Sequence, residues 1–99
     1  MKQFNVYIAK ISFADDSKKV LVISPNEMND SIKTVIVAPI VKFSGGYPTR
    51  VSIKINNEKQ YVVLDQLQTI AKTMIQEEIS TVDEKTQAKI KLILNEMFA

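Results

Sequence analysis

The groups in this chain that can carry chemistry are few. They are its single arginine, Arg50, a carboxylate that closes an apolar run, Asp65, and an adjacent lysine pair, Lys18–Lys19. A carboxylate can accept a proton, and a guanidinium or ammonium can hold developing negative charge, which is what work at a phosphate requires. Hydroxyl and amide side chains lie near them in sequence: Ser44 and Thr49 before Arg50, Gln66 and Gln68 after Asp65. Each also has a plain structural reading. Asp65 can simply end a strand, Lys18–Lys19 can be a solvated turn, and Arg50 can pair with an acid across a sheet. Phe43 and Tyr47 flank Gly45–Gly46, and their rings can meet a flat ligand or close the mouth of a barrel. There is no histidine and no cysteine. That removes the usual neutral-pH acid–base group, thiolate metal sites and disulfides, so no metal and no cofactor is expected. A chain without cysteine also fits a reducing, cytoplasmic location.

The elements that must position these residues are mostly strands. Residues 4–13 (FNVYIAKISF) are rich in β-branched and aromatic residues and predict a first strand, followed by a turn over 14–19. Residues 20–23 and 34–40 are continuous apolar runs rich in valine and isoleucine, the pattern of strands buried on both faces. Pro25 ends the first of these runs, and the polar residues 26–33 between them read as a loop. Val51-Ser52-Ile53-Lys54-Ile55 alternates and predicts a strand with one wet face. Asn56–Asn57 is a hairpin signal leading into a strand over 60–64. Short strands are predicted near 66–70 and 76–80, around a turn at 71–74. Thr81-Val82-Asp83-Glu84 has the form of a capping box with Thr81 as the cap. Beyond it Ala88, Ile90, Ile93, Leu94, Met97 and Phe98 recur at helical spacing. The expectation is a mainly β (α+β) fold: a small, curved antiparallel barrel with one C-terminal amphipathic helix.

The 99 residues leave room for a single domain, 1–99, and the ordinary composition argues against disorder. No apolar run is long enough to span a bilayer, so no membrane role is expected. The net charge of +2 is unevenly spread. Residues 1–75 hold ten basic against six acidic side chains, whereas residues 76–99 hold three against five. A basic body with an acidic end suits a phosphate-binding surface, although chance would also produce it.

Four segments, KKVLVISPNEMND, TVIVAPIV, YPTRVSI and VVLDQLQT, follow one another in the order and approximate spacing of the MazF/PemK toxins. The resemblance runs from about Val6 to Phe98. It implies an SH3-like barrel, a symmetric homodimer and metal-independent cleavage of single-stranded RNA. It also implies a cognate antitoxin that covers the RNA site. Asp65-Gln66 matches an acidic-Gln pair whose acid is catalytic in some PemK-type members, and Pro48-Thr49-Arg50-Val51 matches a Pro-Thr-basic-Val segment. Other positions depart from the family pattern. Lys18 stands where members usually carry the arginine of an Arg-Pro pair, and Lys19 replaces the proline. Val41 stands where many carry threonine or serine, with Ser44 the nearest hydroxyl. Gln68 replaces the arginine of a Gln-x-Arg-Thr segment.

On this resemblance the catalytic candidates are Asp65, Lys18 and Arg50. Lys19, Ser44, Thr49, Tyr47, Gln66 and Gln68 are the RNA-binding candidates, with Tyr47 and Phe43 able to stack on unpaired bases. Lysine offers a point charge where arginine offers a bidentate fork, so Lys18 would hold a phosphate less exactingly. Two function classes follow: a ribonuclease toxin, or a catalytically weakened relative that binds antitoxin or RNA. A gyrase poison of the CcdB kind is the weakest variant of the second class. Those proteins end their last helix in Trp-Gly-Ile, whereas this chain ends Met97-Phe98-Ala99.

Overall fold

The computed structural model describes residues 1–10, 17–43 and 45–99. Among these residues, seven strands and two helices follow in order: β1 (Asn5–Lys10), β2 (Ser17–Val22), α1 (Asn26–Ser31), β3 (Thr34–Val41), β4 (Arg50–Ile55), β5 (Glu58–Val63), β6 (Gln68–Ala71), β7 (Ile75–Thr81) and α2 (Glu84–Met97). Short 3-10 turns occupy Leu64–Gln66 and Lys72–Met74. The strands form one curled antiparallel sheet in the order β4-β5-β3-β2-β1-β7, with β6 also paired to β3. Two register shifts between β1 and β7 add curl at that end, as an unpaired extra residue tightens local twist.

The central strand β3 behaves as its apolar run requires. Val35 and Val37 face one core together with Val20, Val22, Tyr7, Ala9 and Ile70. Ala38, with Ile36 and Ile40, faces a second core built from Phe4, Val6, Leu21, Val51, Ile53, Ile55, Val62 and Leu64. Helix α2 closes this second core: Ile90 is fully buried, and Ile93, Leu94 and Met97 pack beside it. The wet face expected of β4 is present, with Ser52 and Lys54 exposed between buried Val51, Ile53 and Ile55. Asn56 and Asn57 both take positive φ, 52° and 65°, the backbone that a two-residue hairpin turn demands.

Several expectations need correction. The first strand is described only as far as Lys10, and residues 11–16 lie outside the described residues. Ser17–Lys19, expected in a turn, belong to β2, where Lys18 pairs with Ala9 and Lys19 with Ile8. Residues 26–31, read as loop, form α1. Pro25 precedes that helix at φ −67°, which suits a position just outside a first turn. The signal missed there was Asn29, whose side chain is buried. Its Nδ2 donates to the Ser24 carbonyl at 2.9 Å, and its Oδ1 accepts from the Ser24 hydroxyl. That hydroxyl in turn accepts the Ile36 N–H at 3.1 Å, so the pair pins α1 to β3. Gln66 lies in a 3-10 turn rather than a strand. The cap of α2 is Asp83, whose carboxylate accepts the Thr86 N–H at 2.8 Å, while Thr81 ends β7 and donates to Asn5. Ala88 and Phe98, expected on the buried stripe, are exposed.

Two outcomes follow for stability. Asn29→Leu leaves the buried Ser24 carbonyl and hydroxyl short of partners and costs about 1–3 kcal/mol, measurable by urea unfolding. The Thr86 side-chain and backbone donors hold the Asp83 carboxyl below its ordinary value of 3.8. A lowered pKa contributes stability above that value and loses it as pH falls through the folded-state pKa. Asp83→Ala therefore melts below wild type at pH 7, and the gap between the two closes as the medium is acidified below 3.8.

Candidate functional site

The β4–β5 hairpin brings the arginine and the carboxylate together at its open end. Arg50, the first residue of β4, pairs with Val63, the last of β5. One residue further out, the Leu64 N–H donates to the Thr49 carbonyl at 3.1 Å. Leu64 is fully buried and fixes the 3-10 turn, so Asp65 beside it faces outward. The Thr49 hydroxyl donates to Asp65 Oδ1 at 2.8 Å, and Arg50 Nε lies 3.9 Å from the same oxygen. The Arg50 guanidinium also sits over the Tyr47 ring, 4.9 Å from its centroid. Four of the predicted residues, Tyr47, Thr49, Arg50 and Asp65, thus form one contiguous cluster.

Tyr47 keeps 59% of its surface and Phe43 83%, so neither ring closes a barrel mouth. Gly45 shapes this corner. Its φ is +66°, and a Cβ there would meet the Tyr47 ring at 2.9 Å. Ser44 lies outside the described residues.

A groove of about 790 Å³ gathers the remaining candidates. Lys18, Lys19, Gln66 and Gln68 line it, together with Pro39, Ile40, Val41, Lys42 and Leu67. Gln66 directly follows Asp65, so the 3-10 turn joins the groove to the arginine–carboxylate cluster. Val41 presents only methyl groups at the position where a hydroxyl was the family expectation. The residue that sequence reasoning missed is Gln60. It lines the groove, is 2% exposed, and its Oε1 accepts from Lys19 Nζ at 3.3 Å. Period two hinted only at its burial, since Gln60 stands in line with Val62 and Leu64, both buried in one core. A second concavity of about 590 Å³ lies between β4 and the start of α2 and holds none of the predicted residues.

With this geometry in place, comparison with known proteins identifies the class. A family described as the PemK-like, MazF-like toxin of type II toxin–antitoxin systems matches residues 2–98. The chain belongs to that family. Solved structures agree on the fold. The toxin MazF-mt6 of Mycobacterium tuberculosis superposes with a TM-score of 0.83 at 22% identity, covering 95% of each chain. A mycobacterial endoribonuclease in complex with its cognate antitoxin gives 0.87 at 21%, covering 99% of this chain and 94% of that one. A MazE–MazF complex from Deinococcus radiodurans gives 0.84 at 16%, covering 100% and 95%. No curated protein sequence matches the chain significantly.

The glycine pair gives a direct check on the Tyr47 corner. Both glycines have positive φ, but a Cβ on Gly46 would meet nothing within 4 Å among the described residues. Gly46→Ala should cost only the backbone penalty of about 1–2 kcal/mol. Gly45→Ala adds the collision with Tyr47, so its unfolding midpoint falls further and its tyrosine fluorescence changes, while that of Gly46→Ala does not.

Proposed function

We propose that this chain is the toxin of a type II toxin–antitoxin module and an endoribonuclease that cleaves single-stranded RNA without a metal ion. The observation that carries the reading is the Thr49–Asp65–Arg50 cluster set beside a lysine-lined groove. Cleavage by transesterification joins the 2′-oxygen to phosphorus and breaks the bond to the 5′-oxygen, leaving a 2′,3′-cyclic phosphate. Asp65 takes the 2′-hydroxyl proton, with Thr49 orienting the carboxylate through its hydrogen bond. Arg50 stabilises the charge that builds on the phosphorane, and the leaving 5′-oxygen takes its proton from water or from Lys18. Lys18, Lys19, Gln66 and Gln68 hold the strand along the groove. Tyr47, more than half exposed, stacks on an unpaired base. The working form is a homodimer in the cytoplasm, restrained by a small antitoxin that fills the groove. Among the described residues, no helix is long and apolar enough to cross a membrane.

One feature favours the second reading, a weakened enzyme kept as a binding module. The groove offers Lys18 and Val41 where the family pattern has a bidentate arginine and a hydroxyl. The discriminating experiment is incubation of the pure protein with long RNA in EDTA. Wild type should cleave, and Asp65→Ala and Arg50→Ala should each lose about 10²–10³-fold in rate. If wild type and both variants leave the RNA equally intact at high protein, the enzymatic reading fails and binding remains to be measured.

Binding has its own signature. Three phosphate contacts, from Lys18, Lys19 and Arg50, give a slope of about −2 in log affinity against log salt for a single strand. Lys18→Gln should lower that slope in magnitude by about 0.7. A slope near zero for wild type would exclude the basic groove as a phosphate track.

A further inference from the structure

Gln60 carries a polar group that the structure leaves unsatisfied. Its Nε2 is buried and makes no hydrogen bond among the described residues. Its Oε1 is held by Lys19 Nζ, which sets the orientation of the amide and leaves the NH₂ end as the spare one. A buried donor without a partner costs about 1–3 kcal/mol, so an acceptor brought in from outside the chain would be favoured here. The backbone settles where this one sits. Gln60 shares the inner face of β5 with Val62, and Lys19 shares that of β2 with Leu21, both part of the same core. The amide therefore lies where that core meets the groove of Lys18, Lys19, Lys42, Gln66 and Gln68.

We infer that Gln60 is a base-reading residue, and that the groove takes a nucleobase carrying a carbonyl oxygen where cytosine and adenine carry an amino group. The inference rests on the RNA reading given above and narrows it. The Lys19 ammonium and the fixed amide NH₂ make this part of the groove rich in donors. Uracil O4 and guanine O6 supply the missing acceptor. Cytosine N4 and adenine N6 would place an amino group against donors and leave Nε2 unpaired, a mismatch that hydrogen-bonding sites reject strongly. The amide is covered in the unliganded molecule. A base reaches it from the groove that Gln60 lines, once the side chains over the amide shift.

The test is a fluorescence titration of the pure protein with pentauridylate and pentacytidylate, in EDTA and at fixed salt. Side-chain amide resonances are followed by nuclear magnetic resonance in parallel. Wild type should bind the uridine oligomer about tenfold more tightly, and the Gln60 NH₂ pair should shift with uridine and not with cytidine. Gln60→Glu turns the donor into an acceptor and should reverse the preference. Gln60→Leu, close in size, should erase it. Circular dichroism establishes that each variant is folded, and should Gln60→Leu fail to fold, Gln60→Glu and the wild-type resonances still decide. Equal binding of the two oligomers, or a preference that both variants retain, overturns the assignment and leaves the RNA reading standing. No binding of either oligomer overturns both.

Discussion

The fold depends on one strand finding partners for its backbone along both edges while both of its faces are buried. That strand is β3. Its even-numbered residues direct their backbone groups at β2, as the Ile36 carbonyl accepting the Ile23 N–H at 2.8 Å shows. Its odd-numbered residues turn the other way. Over Thr34–Val37 they meet β6, and over Ile40–Val41 they meet β5. Residue 39 falls between the two neighbours, on the side where neither strand is paired. Proline stands there. It has no N–H to leave unsatisfied, so the ladder passes from one strand to the next without a buried orphan donor. A proline within a strand usually argues against a central position, and here it marks the place where a central strand changes neighbours.

The groove is a product of that same handover. Pro39, Ile40 and Val41 form one wall because β3 must run past the end of β6 before β5 joins it, and the turn Leu64–Gln66 fills the corner between them. Side chains of very different origin meet there: a strand start from β2, a buried position of β5, and the segment leading into β6. Their proximity is a property of the ladder. Relatives at 16–22% identity superpose with TM-scores of 0.83–0.87, which fits a scaffold set by strand pairing and apolar pattern more than by particular groove residues.

Much of this was legible in the sequence, for identifiable reasons. Val35, Val37, Leu21 and Ile53 announce themselves because burial on one or both faces leaves a periodic mark, and the terminal helix does so through Ile90, Ile93, Leu94 and Met97. What escaped depends on single polar contacts. Helix α1 is held by the buried Asn29 and not by an apolar stripe, so its six residues carry no helical period. Thr81 and Asp83 both have a side-chain oxygen suited to capping, and only the path of β7, which keeps Thr81 in the ladder, decides between them. In the candidate site, Arg50 and Asp65 were readable as chemistry and their meeting followed from the hairpin. Gln60 was not, because its importance comes from Lys19, 41 residues earlier in the chain.

The Thr49–Asp65 hydrogen bond has a mechanical side. A β-hairpin is ordinarily closed by its turn and frays from the opposite end, where the last ladder bonds face water. In the β4–β5 hairpin the turn lies at Asn56–Asn57, and the far end is shut by the Leu64–Thr49 backbone bond and then by the threonine–carboxylate bond beyond it. The hairpin is in effect a ring. Its carboxylate sits at a buckle and not at a loose end, with Leu64 anchored in the core directly beneath. Thermal motion that would open such an end must first break two hydrogen bonds and lift a buried leucine. Asp65 is thereby held in register with Arg50 by stiffness of the frame, with no need for an ordering ligand.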